Sequence, residues 1–260
     1  MNILKEIIEH KKSEVKRLSE ISPIEQIKES QRLFQIRDFK SALNEQNISI
    51  IAEIKFKSPS MGVILENLSP TEIAKSYENN GASAISVLTD YKYFGGNLDY
   101  IHQIKAVCNL PILRKDFIIF EYQIWESFHA GADAILLISD ALEFSQLENL
   151  YNISTELGLS VLVEAHSKTA LENALKLNPE IIGINCRDLK TMETNLDYFE
   201  STISEIKSVK IKVAESGIHN SDDLKYISEI GYSSALVGTS LMKSGNPGLA
   251  LTNLLNRVPG

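Results

Sequence analysis

Eight short runs of apolar, β-branched residues recur along this chain, each followed by a charged stretch whose apolar positions repeat at helical spacing. They predict strands over Ile48–Lys55, Ala84–Thr89, Pro111–Lys115, Ala134–Ile138, Ser160–Glu164, Ile181–Asn185, Ile211–Ser216 and Ser234–Gly238. Near-continuous apolar runs are what strands buried on both faces look like, and strand–helix alternation is the mark of a parallel sheet. The intervening stretches, such as Ser69–Asn80, Leu98–Val107 and Ala141–Leu157, read as helices. Several end where a glycine can adopt the left-handed conformation that terminates a helix: Gly81, Gly131, Gly158 and Gly231.

Eight such units in 260 residues favour closure into a single (β/α)8 TIM barrel over an open, doubly wound sheet. The first strand begins only near Ile48, so an N-terminal helical extension precedes the barrel, with helices over Met1–Arg17 and Pro23–Ser30. No linker or low-complexity tract interrupts the chain. The expected organisation is one domain over 1–260, with the extension over 1–47 and the barrel over 48–260.

A formal net charge of −8 argues against a nucleic-acid partner, which calls for a basic face. The first twenty residues interleave charge with apolar side chains and contain no unbroken apolar core, so they do not read as a targeting signal. No stretch is long and apolar enough for a bilayer span. Two cysteines, Cys108 and Cys186, are too few for a disulfide framework and indicate a reducing compartment, so a cytoplasmic enzyme is expected. Metal-ligand spacings and a dinucleotide fingerprint are both lacking.

The last two strands carry the first functional signal. Val213-Ala214-Glu215-Ser216-Gly217 and Ala235-Leu236-Val237-Gly238-Thr239 both end in small or hydroxyl residues before a helical stretch. Such ends let backbone N–H groups approach an anion closely, and barrels of this kind bind phosphate after strands seven and eight. Ser216, Gly217, Gly238 and Thr239 are therefore the candidate phosphate ligands, and the expected partner is a small phosphorylated molecule.

Charge at the other strand ends is the second signal. Glu53 and Lys55 close the first run and, two residues apart, share a face. Lys115 ends the third run, Glu164 the fifth, Asn185 and Arg187 the sixth, and Glu215 the seventh. Such charges can simply solvate a barrel rim. However, burying them unpaired is costly, so convergence on one polar cavity is the cheaper arrangement. Paired lysines and glutamates there supply both a general acid and a general base. A second lysine across the mouth predicts a lowered pKa for Lys115. Phe94 is a candidate wall for an aromatic substrate. His10, His102 and His129 read as helix surface or packing residues, Trp125 as packing against the barrel, and Cys108 as core. His166 has no metal partner at useful spacing, and His219 stands at best behind the site.

Taken in order, Ala52-Glu53-Ile54-Lys55-Phe56-Lys57-Ser58-Pro59-Ser60, Leu88-Thr89-Asp90, Tyr93-Phe94-Gly95-Gly96, Leu110 to Phe117, Gly183 to Leu189 and Val213 to Ile218 resemble the indole-3-glycerol phosphate synthase family. The resemblance continues to Val237–Met242 and covers nearly the whole chain. It implies ring closure of 1-(2-carboxyphenylamino)-1-deoxyribulose 5-phosphate, with loss of carbon dioxide and water, in tryptophan biosynthesis and without a cofactor. It further implies that Lys115 is the general acid of ring closure and Glu164 the base of the final dehydration. Glu53 would hydrogen-bond and relay protons, while Lys55 would bind a substrate anion or act as the acid in dehydration. Asn185, Arg187, Glu215 and Ser58 would line the pocket, and Phe94 and Phe117 would flank the anthranilate ring. Phe56, Cys186 and Thr239 depart from the family's common residues. Thr239 keeps the hydroxyl, and Phe56 should point away from the mouth. The resemblance is compatible with a monomer, alone or associated with other enzymes of the pathway, and with the N-terminal helices acting as a lid. Two rivals stand beside this reading: another phosphate-binding barrel such as phosphoribosyl anthranilate isomerase, and a barrel that binds a phosphorylated metabolite without catalysis.

Overall fold

A computed structural model describes residues 3–43, 47–187 and 193–255. Its eight parallel strands are β1 (Ser49–Ile54), β2 (Ala84–Leu88), β3 (Ile112–Lys115), β4 (Ala134–Ile138), β5 (Ser160–Ala165), β6 (Ile181–Asn185), β7 (Ile211–Glu215) and β8 (Ser234–Val237). They follow one another around a closed barrel, with β8 returning to pair with β1. Each falls within one residue of its sequence expectation at either end. β1, β2, β4 and β8 are buried at every position, which explains their unbroken apolar character.

Alternation along the strands divides the core in two. One set, including Ile50, Ala52, Ile85 and Val87, packs outward under the helices. The other, including Ile51, Leu113, Leu162 and Val213, fills the barrel interior. The helices expected between strands are present, among them α4 (Pro70–Asn79), α6 (Asp99–Lys105), α7 (Glu121–Ala130), α8 (Phe144–Glu156) and α11 (Ser221–Ile230). The glycines expected at helix ends take positive φ, with Gly131 at 102° and Gly231 at 110°.

Two boundaries differ from expectation. The stretch from Ala141 is not one helix: a 3-10 turn over Ser139–Ala141 ends at extended Leu142, and α8 starts at Phe144. The turn is held apart because Asp140 accepts from the His166 N–H (2.8 Å) and the Ser167 hydroxyl (2.7 Å) across the neighbouring loop. The first helix, α1, runs over Ile3–Ile21, past Arg17, and stops before Pro23, whose ring disfavours helix in the residue ahead of it. Sequence inspection also missed a small hairpin pairing Lys57–Ser58 with Gly62–Val63.

The extension is a strap that touches both ends of the barrel. α1 lies over the carboxyl ends of the strands, and α2 (Ile24–Glu29) packs on α7. Below it, Arg32 donates to the carbonyls of Phe128 and Ala132. Arg37 donates to those of Leu110 (2.9 Å) and Lys105 (3.1 Å). α3 (Phe39–Ala42) then brings Phe39 and Leu43 against residues at the starts of the strands, where they plug the barrel floor. Trp125 packs differently from expectation: it stacks on His129 and lies under Lys28 of α2, in the outer layer. Among the described residues, no helix is long and apolar enough to cross a membrane.

Candidate active site

The strand ends open into one cavity of about 330 Å³. All the residues singled out from sequence line it: Glu53, Lys55 and Ser58 from β1 and its loop, Lys115 and Phe117 from β3, Glu164 from β5, Asn185 and Arg187 from β6, Glu215, Ser216 and Gly217 from β7, Gly238 and Thr239 from β8, and Phe94 after β2. Residues as far apart as Glu53 and Thr239 meet because a parallel barrel collects every carboxyl end on one face. Asp188 and Leu189, the last residues of one resembling motif, lie outside the described residues.

Lys115 is the hub. Its ammonium lies 2.9 Å from Glu164 Oε2 and 3.2 Å from Glu215 Oε2. Glu164 Oε1 in turn accepts from Asn185 Nδ2 at 3.2 Å and contacts His166 Nε2. A second pair, Lys55 Nζ to Glu53 Oε1 at 2.6 Å, sits across the mouth, as their shared face required. Two glycines make room for these carboxylates. A Cβ on Gly183 would meet Glu215 Oε1 at 2.2 Å, and one on Gly238 would meet Glu53 Oε1 at 2.2 Å.

The charge states follow from these distances. Burial alone would lower the Lys115 ammonium, but Glu164, Glu215 and Glu53 outweigh it, and its pKa is raised. The expected lowering is therefore corrected: Lys55 is neutralised by Glu53, whereas three carboxylates face Lys115. Burial would raise Glu164, yet Lys115 and His166 hold it well below the usual carboxylate range. Glu215 behaves oppositely. Burial, then the neighbouring Glu164 charge, push it up to about 8, and its Oε1 is buried without a hydrogen-bond partner. One lysine thus faces one charged carboxylate and one that holds a proton more readily, a division suited to proton transfer.

The cavity has a polar corner and an apolar wall. At the corner, Ser216 (φ 69°) and Gly217 (φ 73°) are both left-handed. The short helix α12 (Thr239–Met242) starts opposite, where first-turn N–H groups have no partner within their own helix. Together they make a concave corner of backbone N–H groups, an arrangement suited to an anion. The wall contains Phe94 and Phe117, with centroids 5.9 Å apart at an interplanar angle of 33°, and Leu136 and Ile138 from β4. Ile3, Leu4 and Ile7 of α1 complete it, so the first helix forms part of the cavity. Phe56 turns away and packs edge-on against Tyr100. Cys186 is buried beside the pocket, and burial pushes its thiol up to about 11.

Sequence inspection missed the α1 side chains, the β4 pair, His166 and Ser240, and His219, expected behind the site, lines the cavity itself. The His166 signal was available, since it lies two residues from Glu164 and so shares its face. Among the described residues, no cluster of three or more His, Cys, Asp or Glu side chains is arranged to hold a metal ion.

The model of the family described as "Indole-3-glycerol phosphate synthase" matches residues 4–254. A curated relative of that name from Caldanaerobacter subterraneus subsp. tengcongensis is 45% identical over 241 residues, covering 93% of each chain. Another, from Albidiferax ferrireducens, is 41% identical over 258 residues, covering 97% of this chain and 98% of its own. Among solved structures, a thiamine phosphate pyrophosphorylase from Pyrococcus furiosus superposes with a TM-score of 0.58 at 15% identity, over 82% of this chain and 96% of that one. At that identity the likeness is one of fold alone.

Proposed function

The chain belongs to the indole-3-glycerol phosphate synthase family, and from that premise we infer how its cavity residues divide the reaction between them. The activity is that of a carboxy-lyase of tryptophan biosynthesis. In that reaction a carboxylated anilino ring attacks the ketone of its own deoxyribulose phosphate chain, then carbon dioxide and water leave to give the indole.

Lys115 is the general acid: as the ring carbon bonds to the ketone carbon, its ammonium delivers a proton to the ketone oxygen. Its high pKa keeps it fully charged at rest. Loss of carbon dioxide from the attacking ring carbon, which bears the carboxylate, restores aromaticity. Glu164, charged at rest, is the base that accepts the proton lost as the hydroxyl leaves as water. Glu215, protonated more readily, lies within reach of the same ammonium and lines the pocket. Lys55 binds a substrate anion or serves as the acid of the dehydration, and Glu53 holds it and relays protons. Arg187 supplies a fork for a carboxylate, while Asn185 and Ser58 line the polar side. Phe94 and Phe117 flank the anthranilate ring, and Ser216, Gly217, Gly238 and Thr239 cradle the phosphate. No cofactor is required for these steps.

The observation that carries the reading is the Lys115 ammonium set between Glu164 and Glu215 at 2.9 and 3.2 Å. The test is turnover of the anilino-deoxyribulose phosphate, followed by indole fluorescence. Lys115→Ala should lose about two to four orders of magnitude, the usual scale of general acid–base catalysis. Glu164→Gln should stall after ring closure and accumulate a hydroxylated, dehydration-deficient intermediate. Near wild-type turnover in either variant would overturn that residue's role. The assay also separates the rivals. An anthranilate isomerase would need a cysteine base at the end of β1, where Glu53 and Lys55 stand, and a silent barrel would bind without turnover.

We further place the chain in the cytoplasm, as a monomer, alone or beside other enzymes of its pathway. Residues 1–47 form an extension, with α1 as lid, on a single domain whose barrel spans 48–260.

A further inference from the structure

His166 is a titratable cavity residue that the scheme above leaves without a task. Its side chain is 8% exposed, and both ring nitrogens are engaged. Nε2 meets Glu164 Oε1, and Nδ1 lies 3.3 Å from the backbone carbonyl of Arg187. Both partners are acceptors: a carbonyl cannot donate, and Glu164 already accepts from Lys115 and Asn185. A neutral imidazole would turn a lone pair toward one of them. The geometry therefore calls for an imidazolium, donating from both nitrogens.

We propose that His166 is a positioning residue for Glu164: a charged bridge that pins the carboxylate with Oε2 toward Lys115 and ties it to the loop carrying Arg187. The proposal rests on the role of Glu164 as base. Glu164 and Asp140 set its protonation, and four further charged or titratable groups stand around the site. Glu164 adjoins it on β5, with Lys115 of β3 and Glu215 of β7 beyond. Asp140, from the turn after β4, accepts its backbone N–H. Arg187 follows β6, and Lys12 of α1 shares a surface groove with Asp140. Burial works against the charge, but Glu164 and Asp140 outweigh it, and the pKa of His166 is raised. A change at this position should therefore act on the chemical step more than on binding, because the ring orients a base.

The test is steady-state kinetics against pH for His166→Leu and His166→Gln, with Glu164→Gln measured alongside. Losing a hydrogen bond to a charged group corresponds to about a 10- to 100-fold effect. His166→Leu should lower kcat by about that factor with KM nearly unchanged. Because a cation beside Glu164 is gone, its acid limb should move to higher pH by about one unit. His166→Gln keeps one donor for Glu164 but no charge. It should recover most of kcat at its optimum while retaining the displaced acid limb. An acid limb in His166→Gln that coincides with wild type overturns the proposal, whether or not the leucine variant folds. Wild-type kcat in a folded His166→Leu also overturns it. Should Glu164→Gln itself turn over normally, the failure lies with the assignment of the base, a result distinct from either outcome for His166.

Discussion

Lys11 is 1% exposed on α1, yet it is a lysine, and it is the place where the helix is fastened to the barrel. Its ammonium lies 3.0 Å from Asp90 Oδ2, 3.0 Å from Asp116 Oδ1 and 3.2 Å from Glu14 Oε2. Asp90 caps the short helix α5 (Tyr91–Phe94), which carries Phe94, by accepting the Tyr93 N–H. Asp116 lies between Lys115 and Phe117 and is also held by Arg114 (3.2 Å) and Thr89 (2.5 Å). Burial opposes the Lys11 charge, but Asp116, Asp90 and Glu14 outweigh it and raise its pKa. Removing one partner of a buried ionic cluster costs about 3–5 kcal/mol, because the remaining charges stay buried. The helix also buries Leu4, Ile7 and Val15, and Tyr93 donates to its Glu6. The buried apolar side chains contribute about 1.5–3 kcal/mol each before the entropy of ordering the helix is subtracted. The two quantities are comparable, so Lys11→Met should detach α1 before the barrel melts. Amide-exchange protection across residues 3–21 should drop by about 10²- to 10⁴-fold, the range that 3–5 kcal/mol converts to. KM should rise, because Ile3, Leu4 and Ile7 wall the cavity. A Lys11→Met/Asp90→Asn double variant should recover part of the loss, since one stranded charge is gone. Protection within about threefold of wild type, together with an unchanged KM, would refute the reasoning.

The glycine beneath Glu215 gives another prediction. In Gly183→Ala the new methyl would lie 2.2 Å from Glu215 Oε1, so the carboxylate must leave its place beside Lys115. Overpacking of this kind costs about 1–3 kcal/mol, and kcat should fall more than thermal stability suggests; wild-type kcat would exclude a tight Glu215 seat. Glu215 should also shape the pH dependence of stability. Its pKa is near the ordinary 4.5 unfolded and pushed up to about 8 when folded, by burial and by Glu164. The folded state then binds more protons over that window, so this group's contribution is present below pH 4.5 and lost as pH rises through 8. Replacing it in Glu215→Gln should flatten the decline in melting temperature between about pH 5 and 8. Parallel wild-type and variant curves would show that Glu215 is charged throughout.

What the sequence reveals follows the reach of each physical rule. Strand positions were legible because burial on both faces leaves an apolar run that ends where polarity begins, as at Ile54 and Asn185. The cavity was legible for a topological reason: closure brings every strand end together, so reading those ends amounts to reading the site. Lys11 was half legible. It occupies the stripe Leu4, Ile7, Lys11, Val15 that α1 buries, and a charge within such a stripe signals a buried partner without naming it. The charge state of Lys115 was not legible at all, and the error is instructive. Counting lysines near the mouth predicts repulsion and a lowered pKa, but the sign depends on which opposite charges come closer. Glu164 and Glu215 lie 49 and 100 residues from Lys115 in the chain and within 3.2 Å in space. A change of one ångström in either distance alters the Coulomb interaction by about a quarter at such separations, so this sign belongs to the packed structure. The same holds for His166. Its spacing from Glu164 shows that the two share a face, but only the Arg187 carbonyl on its other side requires the ring to carry both protons.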